Sequence, residues 1–255
     1  MPEPDSRFAG LRRLDLRGGD PTAHAHWRAL CERSTGLDGE ADVAARAIVE
    51  QVRREGDAAV VALTERFEGR ALTPEQFEIP LARAFAALEQ LDPALRRALE
   101  QAAANVRRFH TKQLAALQTT GDPGEDSCLL SRVAPLDRVA VYAPGGTAAY
   151  PSSVLHAAIP AKVAGVGEVV LLTPRPSEVV LAAAALAGVD RIFQIGGAQA
   201  IAAMAFGTDT VPACDKIFGP GNSYVTQAKQ QVSMMSGGPA IDMPAYLQVA
   251  NEAAR

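Results

Sequence analysis

Apolar side chains recur every three or four positions over residues 40–120, and beyond residue 138 they gather into short unbroken runs. The first pattern is that of amphipathic helices, the second that of strands buried on both faces. In ADVAARAIVEQVRREG the periodicity predicts a helix that Gly56 stops. Asp57 is placed to cap the next helix, DAAVVALTERFEG, which ends near Gly69. A short extended piece, EQFEIP, comes next, then the helical segments LARAFAALEQL and DPALRRALEQAAANVRRFHTKQ. Asp92 before Pro93 fits an N-cap followed by proline at the first helical position. The first 30 or so residues are polar and read as an irregular arm. Residues 121–137 read as a loop and a short extended stretch, and the turn signal GDPGED within them separates the two patterns.

The runs RVAVYAPGG, EVVLLTPRP, RIFQIGG and DKIFGPG read as strands that end in proline and glycine. Each leads into a helical segment: SSVLHAAIPAKVAGV, SEVVLAAAALAGV, AQAIAAMAFG and NSYVTQAKQQVSMM. Pro160 should kink or split the first of these, and Ser177 suits the cap of the second. Four βα units in succession imply a parallel sheet covered on both faces, joined by right-handed crossovers. The fold class is therefore α/β: an incomplete Rossmann-like parallel sheet flanked by helices, preceded by a mainly helical N-terminal region.

The conformationally special residues fall just after the strands: Pro144, Gly145 and Gly146, then Gly196 and Gly197, then Gly219, Pro220 and Gly221. In an open α/β sheet ligands bind beyond the carboxyl ends of the strands, and the helix N-termini at that edge favour phosphate. Tight turns also account for such glycines sterically. The dinucleotide fingerprint G-x-G-x-x-G is absent, and the second strand ends in Thr173-Pro174-Arg175, with no carboxylate for a ribose. Tyr142, Gln199 and Asn222 each sit at a strand end or a helix start. A tyrosine there can stack on a ring, and the two amides can bond a ribose or phosphate. A half-buried tyrosine and two capping residues fit the same positions.

Composition removes several classes of function. The chain has 255 residues, 48% of them hydrophobic and 21% charged, which is the ordinary globular mix. A net charge of −4 argues against a nucleic-acid or acidic-membrane partner. No C-x-x-C occurs, so Cys31, Cys128 and Cys214 read as reduced thiols of a soluble, cytoplasmic protein. No apolar stretch reaches the length of a membrane span. The histidines are few. His24 and His26 form an H-x-H pair in the arm, which reads as solvated. His110 sits near a helix end, where a cation suits the macrodipole, and His156 reads as a packing residue.

The strings RVAVYAPGG, AYPSSVLHAAIPAKVAGV, IGGAQAIAAMAFGT, KIFGPGNSYVTQAKQQV and AIDMPA closely resemble the histidinol dehydrogenase family. VRREGDAAVVALTERFEG and NVRRFHTKQ resemble it more weakly, so the likeness covers roughly residues 30–245. The resemblance implies NAD-dependent oxidation of L-histidinol to L-histidine through the aldehyde, at the end of histidine biosynthesis. It implies a bound zinc and a homodimer with shared sites. It assigns Tyr142, Gln199 and Asn222 as NAD contacts. The implied organisation is an N-terminal arm (1–30), a mainly helical region belonging to the family's first large domain (31–120), a Rossmann-like NAD-binding domain (138–245) and a truncated tail (246–255).

The chain departs from the family after AIDMPA. There the family continues with G-P-S-E, whose serine touches substrate, whereas here Ala245 is followed by Tyr246, Leu247, Gln248 and Val249. The family's zinc ligands (a glutamine, two histidines and an aspartate) and its Glu-His acid–base pair lie beyond this point. The resemblance thus assigns no catalytic residue and no metal ligand to this sequence. Loss of the family's later elements would also leave apolar helix faces of the first region exposed. Three readings follow: a histidinol dehydrogenase-type enzyme completed by a C-terminal half, a non-catalytic nucleotide-binding module, or a truncated product. Related enzymes that oxidise another small polar alcohol, such as a sulfonated diol, are the alternative within the enzyme class.

Overall fold

The computed structural model describes residues 16–17, 21–31, 39–117, 120–123, 128–131, 133–145 and 149–242. Residues 1–35 and 36–255 form two separate compact units. In the first unit, Pro21–Cys31 is a helix, α1. This corrects the irregular arm expected there. Proline is tolerated at the first helical position, and the alanines that follow are the strongest helix formers, which outweighs the segment's polarity. The helix also separates His24 from His26, because side chains two positions apart do not share a helix face.

The second unit opens with α2 (Glu40–Glu55) and α3 (Asp57–Glu68). Gly56 ends α2 as expected: its N–H bonds the Val52 carbonyl at 2.8 Å. Gly56 is also the N-cap of α3, so Asp57 is not the cap. Asp57 instead lies in the first turn, where its carboxylate accepts a 2.6 Å bond from the Thr210 hydroxyl. A 3-10 turn at Pro74–Gln76 leads to the two-residue strand β1 (Glu78–Ile79). Helices α4 (Leu81–Gln90) and α5 (Pro93–Ala116) follow. The carboxylate of Asp92 caps α5 by accepting the backbone N–H groups of Ala94 and Leu95. Thr120–Pro123 (β2) and Cys128–Ser131 (β3) pair as an antiparallel ribbon, so Gly121, Asp122 and Pro123 of the expected GDPGED turn lie in a strand and the rest of it lies outside the described residues.

The βα units are β4 (Arg138–Tyr142) with α6 (Pro151–Val163), β5 (Glu168–Leu172) with α7 (Glu178–Ala187), β6 (Arg191–Phe193) with α8 (Gly197–Phe206), and β7 (Lys216–Phe218) with α9 (Ser223–Met234). The helix α6 is not split at Pro160, which lies one turn from its end where few helical bonds are left to lose. Ser177 caps α7 as expected, through the Val180 N–H. A further strand, β8 (Ala240–Ile241), pairs parallel to β7, and β1 pairs antiparallel to β6. The sheet order is β1-β6-β5-β4-β7-β8. The parallel strands, numbered by their order in the chain, therefore run 3-2-1-4-5, a doubly wound order that reverses between β4 and β7.

Strand alternation divides the core. Val139, Val141, Val169, Leu171 and Ile192 face one side and pack with α4, α5, α6 and α7. Ala140, Tyr142, Val170, Leu172 and Ile217 face the other, with α2, α3, α8 and α9. The N-terminal helices thus complete both layers around one sheet. Helix α8 is enclosed by the sheet, α2, α3 and α9, and every residue from Ala198 to Ala205 is buried. Ile201 is fully buried there. We expect Ile201→Ala to lower unfolding stability by about 2–5 kcal/mol in urea titration, through lost transfer energy and the cavity left behind. Phe85→Ser, on an exposed face of α4, should change it by less than about 0.5 kcal/mol.

Candidate functional site

The point where the sheet order reverses is where a doubly wound fold opens a crevice between neighbouring loops. Here the loop after β7 lies directly against the end of β4. Gly219 has φ +109, and a Cβ on it would come within 2.1 Å of the Tyr142 carbonyl oxygen. No other residue fits that approach. The same loop is clamped from beneath by Lys229 of α9, which is 1% exposed. Its ammonium donates to the Gly219 carbonyl (3.0 Å), the Asp242 carbonyl (2.6 Å) and Asp242 Oδ1 (2.6 Å). The Asp242 carboxylate in turn accepts the Gly219 N–H at 3.1 Å. Burial pulls the Lys229 pKa below its ordinary value, against the opposing pull of Asp242.

A cavity of about 740 Å³ opens beyond the strand ends. Tyr142, Gln199 and Asn222 all line it, so the structure brings the three sequence-predicted residues to one place. Tyr142 is 4% exposed, and its hydroxyl accepts the Gly197 N–H at 3.2 Å. Burial pushes its pKa up to about 12, so at neutral pH it holds a proton that no described residue accepts. Gln199 is buried in the first turn of α8. Gly197 has φ +67, and a Cβ there would strike Gln199 Oε1 at 2.5 Å. Asn222 is the N-cap of α9: its Oδ1 accepts the Val225 N–H at 3.0 Å. The amide NH2 of Asn222 takes no part in the cap, so capping and ligand contact are compatible roles.

The far wall of the cavity comes from α2 and α3, through Ala44, Ile48, Gln51, Phe67 and Glu68 among others. Sequence reasoning passed over these residues. Their only local signal is that α3 ends in the polar string ERFEG, where core periodicity has already lapsed. Glu68 Oε2 accepts from Arg70 Nε at 3.1 Å and Nη2 at 2.7 Å. Arg70 is held by Gln194, just after β6, through the Gln194 side-chain oxygen (3.2 Å) and carbonyl (2.6 Å). Arg175, in the loop after β5, donates to the Glu68 carbonyl. It does so from φ +48, a region seldom adopted by residues other than glycine.

The histidines lie elsewhere. His156 is exposed on α6, so it does not serve as the packing residue expected. His110 is nearly two turns inside α5, which runs on to Ala116, and its ring pairs with Gln113 at 2.9 Å. That is too far from the helix end for the macrodipole to act on it. Cys214 is a buried free thiol whose pKa burial raises to about 12, so it is no nucleophile. Among the described residues no cluster of three or more His, Cys, Asp or Glu could hold a metal, and no helix is long and apolar enough to cross a membrane.

A doubly wound sheet with a cavity at its reversal point places the chain among α/β proteins of the Rossmann-like class. The histidinol dehydrogenase family model matches residues 32–246, and the chain belongs to that family. It is 49% identical over 241 residues to the histidinol dehydrogenase of Bordetella parapertussis, covering 92% of this chain and 53% of that protein. Against the Aquifex aeolicus histidinol dehydrogenase it is 44% identical over 223 residues, covering 87% and 52%. The crystal structure of histidinol dehydrogenase from Elizabethkingia anophelis superposes with a TM-score of 0.76 at 33% identity, covering 87% of this chain and 51% of that one. The chain spans about half the length of the curated relatives it matches.

Two measurements test this geometry. The Tyr142 pKa is raised from 10.0 to about 12, so between those values the folded chain binds more protons than the unfolded one. The phenol's contribution to stability is then fully present below pH 10 and lost as pH rises towards 12. Ultraviolet phenolate titration should show one late-ionising tyrosine that disappears in Tyr142→Phe. Lys229→Met leaves the Asp242 carboxylate and the Gly219 carbonyl without their partner. It should cost about 3 kcal/mol in denaturant unfolding.

Proposed function

We propose that the cavity at the β4–β7 reversal binds NAD, and that this chain forms the dinucleotide-binding half of a histidinol dehydrogenase-type active site. The convergence of Tyr142, Gln199 and Asn222, matched to the family's NAD contacts, on one cavity carries the reading. Their chemistry fits a dinucleotide. Tyr142 offers a hydroxyl proton that no described residue accepts, Asn222 keeps its amide donors free of the cap, and Gly197, lacking a Cβ, lets the Gln199 amide lie against its backbone at the cavity wall. The N-terminus of α8 adds oriented N–H groups suited to phosphate. Bound NAD would supply the hydride acceptor for oxidation of L-histidinol. The residues of this chain hold and orient the dinucleotide and close the sheet side of the site to water. The described residues do not fit a zinc site, so no step is assigned to a metal here.

Alcohol oxidation also needs a base for the hydroxyl proton. The cavity walls carry hydroxyl, amide and carboxylate groups but, among the described residues, no imidazole. An acid–base pair then comes from outside the described residues, as from a complementing C-terminal half of the family. Exposed Phe85, Phe109, Leu114 and Leu117 around α4 and α5, on the sheet face opposite α2 and α3, offer a separate apolar surface to a partner. The same lack of an imidazole favours, for this chain by itself, nucleotide binding without turnover. The free thiol of Cys214 suits a reducing, cytoplasmic setting for histidine biosynthesis.

The test is NADH formation from L-histidinol with added zinc, by the purified chain alone and mixed with a separately expressed C-terminal half of a family member. We expect silence alone and turnover in the mixture. Turnover by the chain alone would place a complete acid–base set within it. If neither sample turns over and the chain fails to bind NAD, the reading is wrong.

A further inference from the structure

On the reading that this cavity takes NAD, we propose that Glu68 is the carboxylate that accepts a hydroxyl of the adenosine ribose, and that it sets the preference for NAD over NADP. In doubly wound folds this role falls to an acid at the end of the second parallel strand, beside which the ribose lies. That position here is the end of β5, followed by Thr173, Pro174 and Arg175, none of them acidic. The chain brings a carboxylate to the same place from α3. The Glu68 carbonyl is held by Arg175, in the loop after β5, and both residues line the cavity.

The two carboxylate oxygens are treated differently. Oε2 takes both Arg70 bonds, while Oε1 is shut off from water and has no hydrogen-bond partner among the described residues. An ionised oxygen excluded from water and left unpaired is unfavourable until a donor completes it. The Arg70 fork, itself braced on Gln194, fixes the direction of that oxygen. Glu68 keeps 16% of its side-chain surface open where it lines the cavity. A ribose hydroxyl supplies the missing donor. A phosphate on that hydroxyl supplies only negative charge, and the carboxylate repels it.

The experiment measures binding of NAD, NADP and ADP-ribose to the full chain by calorimetry, for the wild type and Glu68→Gln. Glutamine keeps the shape and an acceptor for Arg70 but turns an N–H towards the ribose. We expect the wild type to prefer NAD to NADP. Glu68→Gln should weaken NAD and ADP-ribose about tenfold or more, as for one charge-assisted bond, and close the gap to NADP, with an unchanged melting temperature. If Glu68→Gln lowers the melting temperature, Glu68→Asp, which keeps the charge but draws it back, must show the same weakening. Unchanged NAD binding in a folded Glu68→Gln overturns the role of Glu68 and leaves the NAD reading intact. Loss for NAD but not for ADP-ribose moves the contact to the nicotinamide end and overturns the ribose assignment. A wild type that binds none of the three overturns both readings.

Discussion

The contact between the loop after β7 and the end of β4 is the constraint on which the site rests. It works only because Gly219 has no side chain to collide with the Tyr142 carbonyl. Close approach by itself would leave the loop free to lift away. Lys229 prevents that by drawing the Gly219 carbonyl, the Asp242 carbonyl and the Asp242 carboxylate onto one buried ammonium. Burying a charge is costly, and the cost is offset only where every donor finds an acceptor. Three N–H groups meeting three oxygens satisfies that condition. Tyr142 and Asn222, on opposite sides of the reversal, are thereby held at the same crevice.

Much of this architecture was legible in the chain. The apolar runs at 138–142, 168–172, 191–193 and 216–218 are strands because they are buried on both faces, and burial leaves a plain compositional trace. Ser177 and Asp92 cap their helices because a side-chain acceptor before a helical run has a local use that can be read locally. The short edge strand β1 lies within the extended piece EQFEIP, but β8 leaves no such trace. β1 and β8 are two residues each, and what makes them strands is a partner on the neighbouring strand. The Asp57 assignment failed for a related reason: Gly56 can end one helix and start the next, which moves the carboxylate one position inward.

The candidate site was legible in half. Tyr142, Gln199 and Asn222 follow strands, so the general geometry of a doubly wound sheet points to them. Glu68 carries no such local signal, because it ends helix α3 and does not follow a strand. Glu68 reaches the loop after β5 from a helix 107 residues earlier in the chain, through contacts that only the folded sheet brings together. The network Glu68–Arg70–Gln194–Gln76 shows the same thing, since it joins the end of α3 to the loop after β6. Local pattern gives the elements; the polar links between distant elements are set by their packing.

That packing also decides between ways of dividing the molecule. A module folding around residues 138–245 alone would keep the sheet and its four following helices. It would lose α2 and α3, and with them the second wall of the cavity. Helix α8 is alanine-rich and buried around its whole circumference, which a surface helix with one apolar stripe is not. Stripped of α2 and α3 it would present a broad apolar face to water. Ala45, Val49 and Val52 of α2 pack in the same core as Ile201 and Val232. The N-terminal helices are therefore part of the same unit as the sheet rather than an attachment to it, and the cavity and the fold stand or fall together.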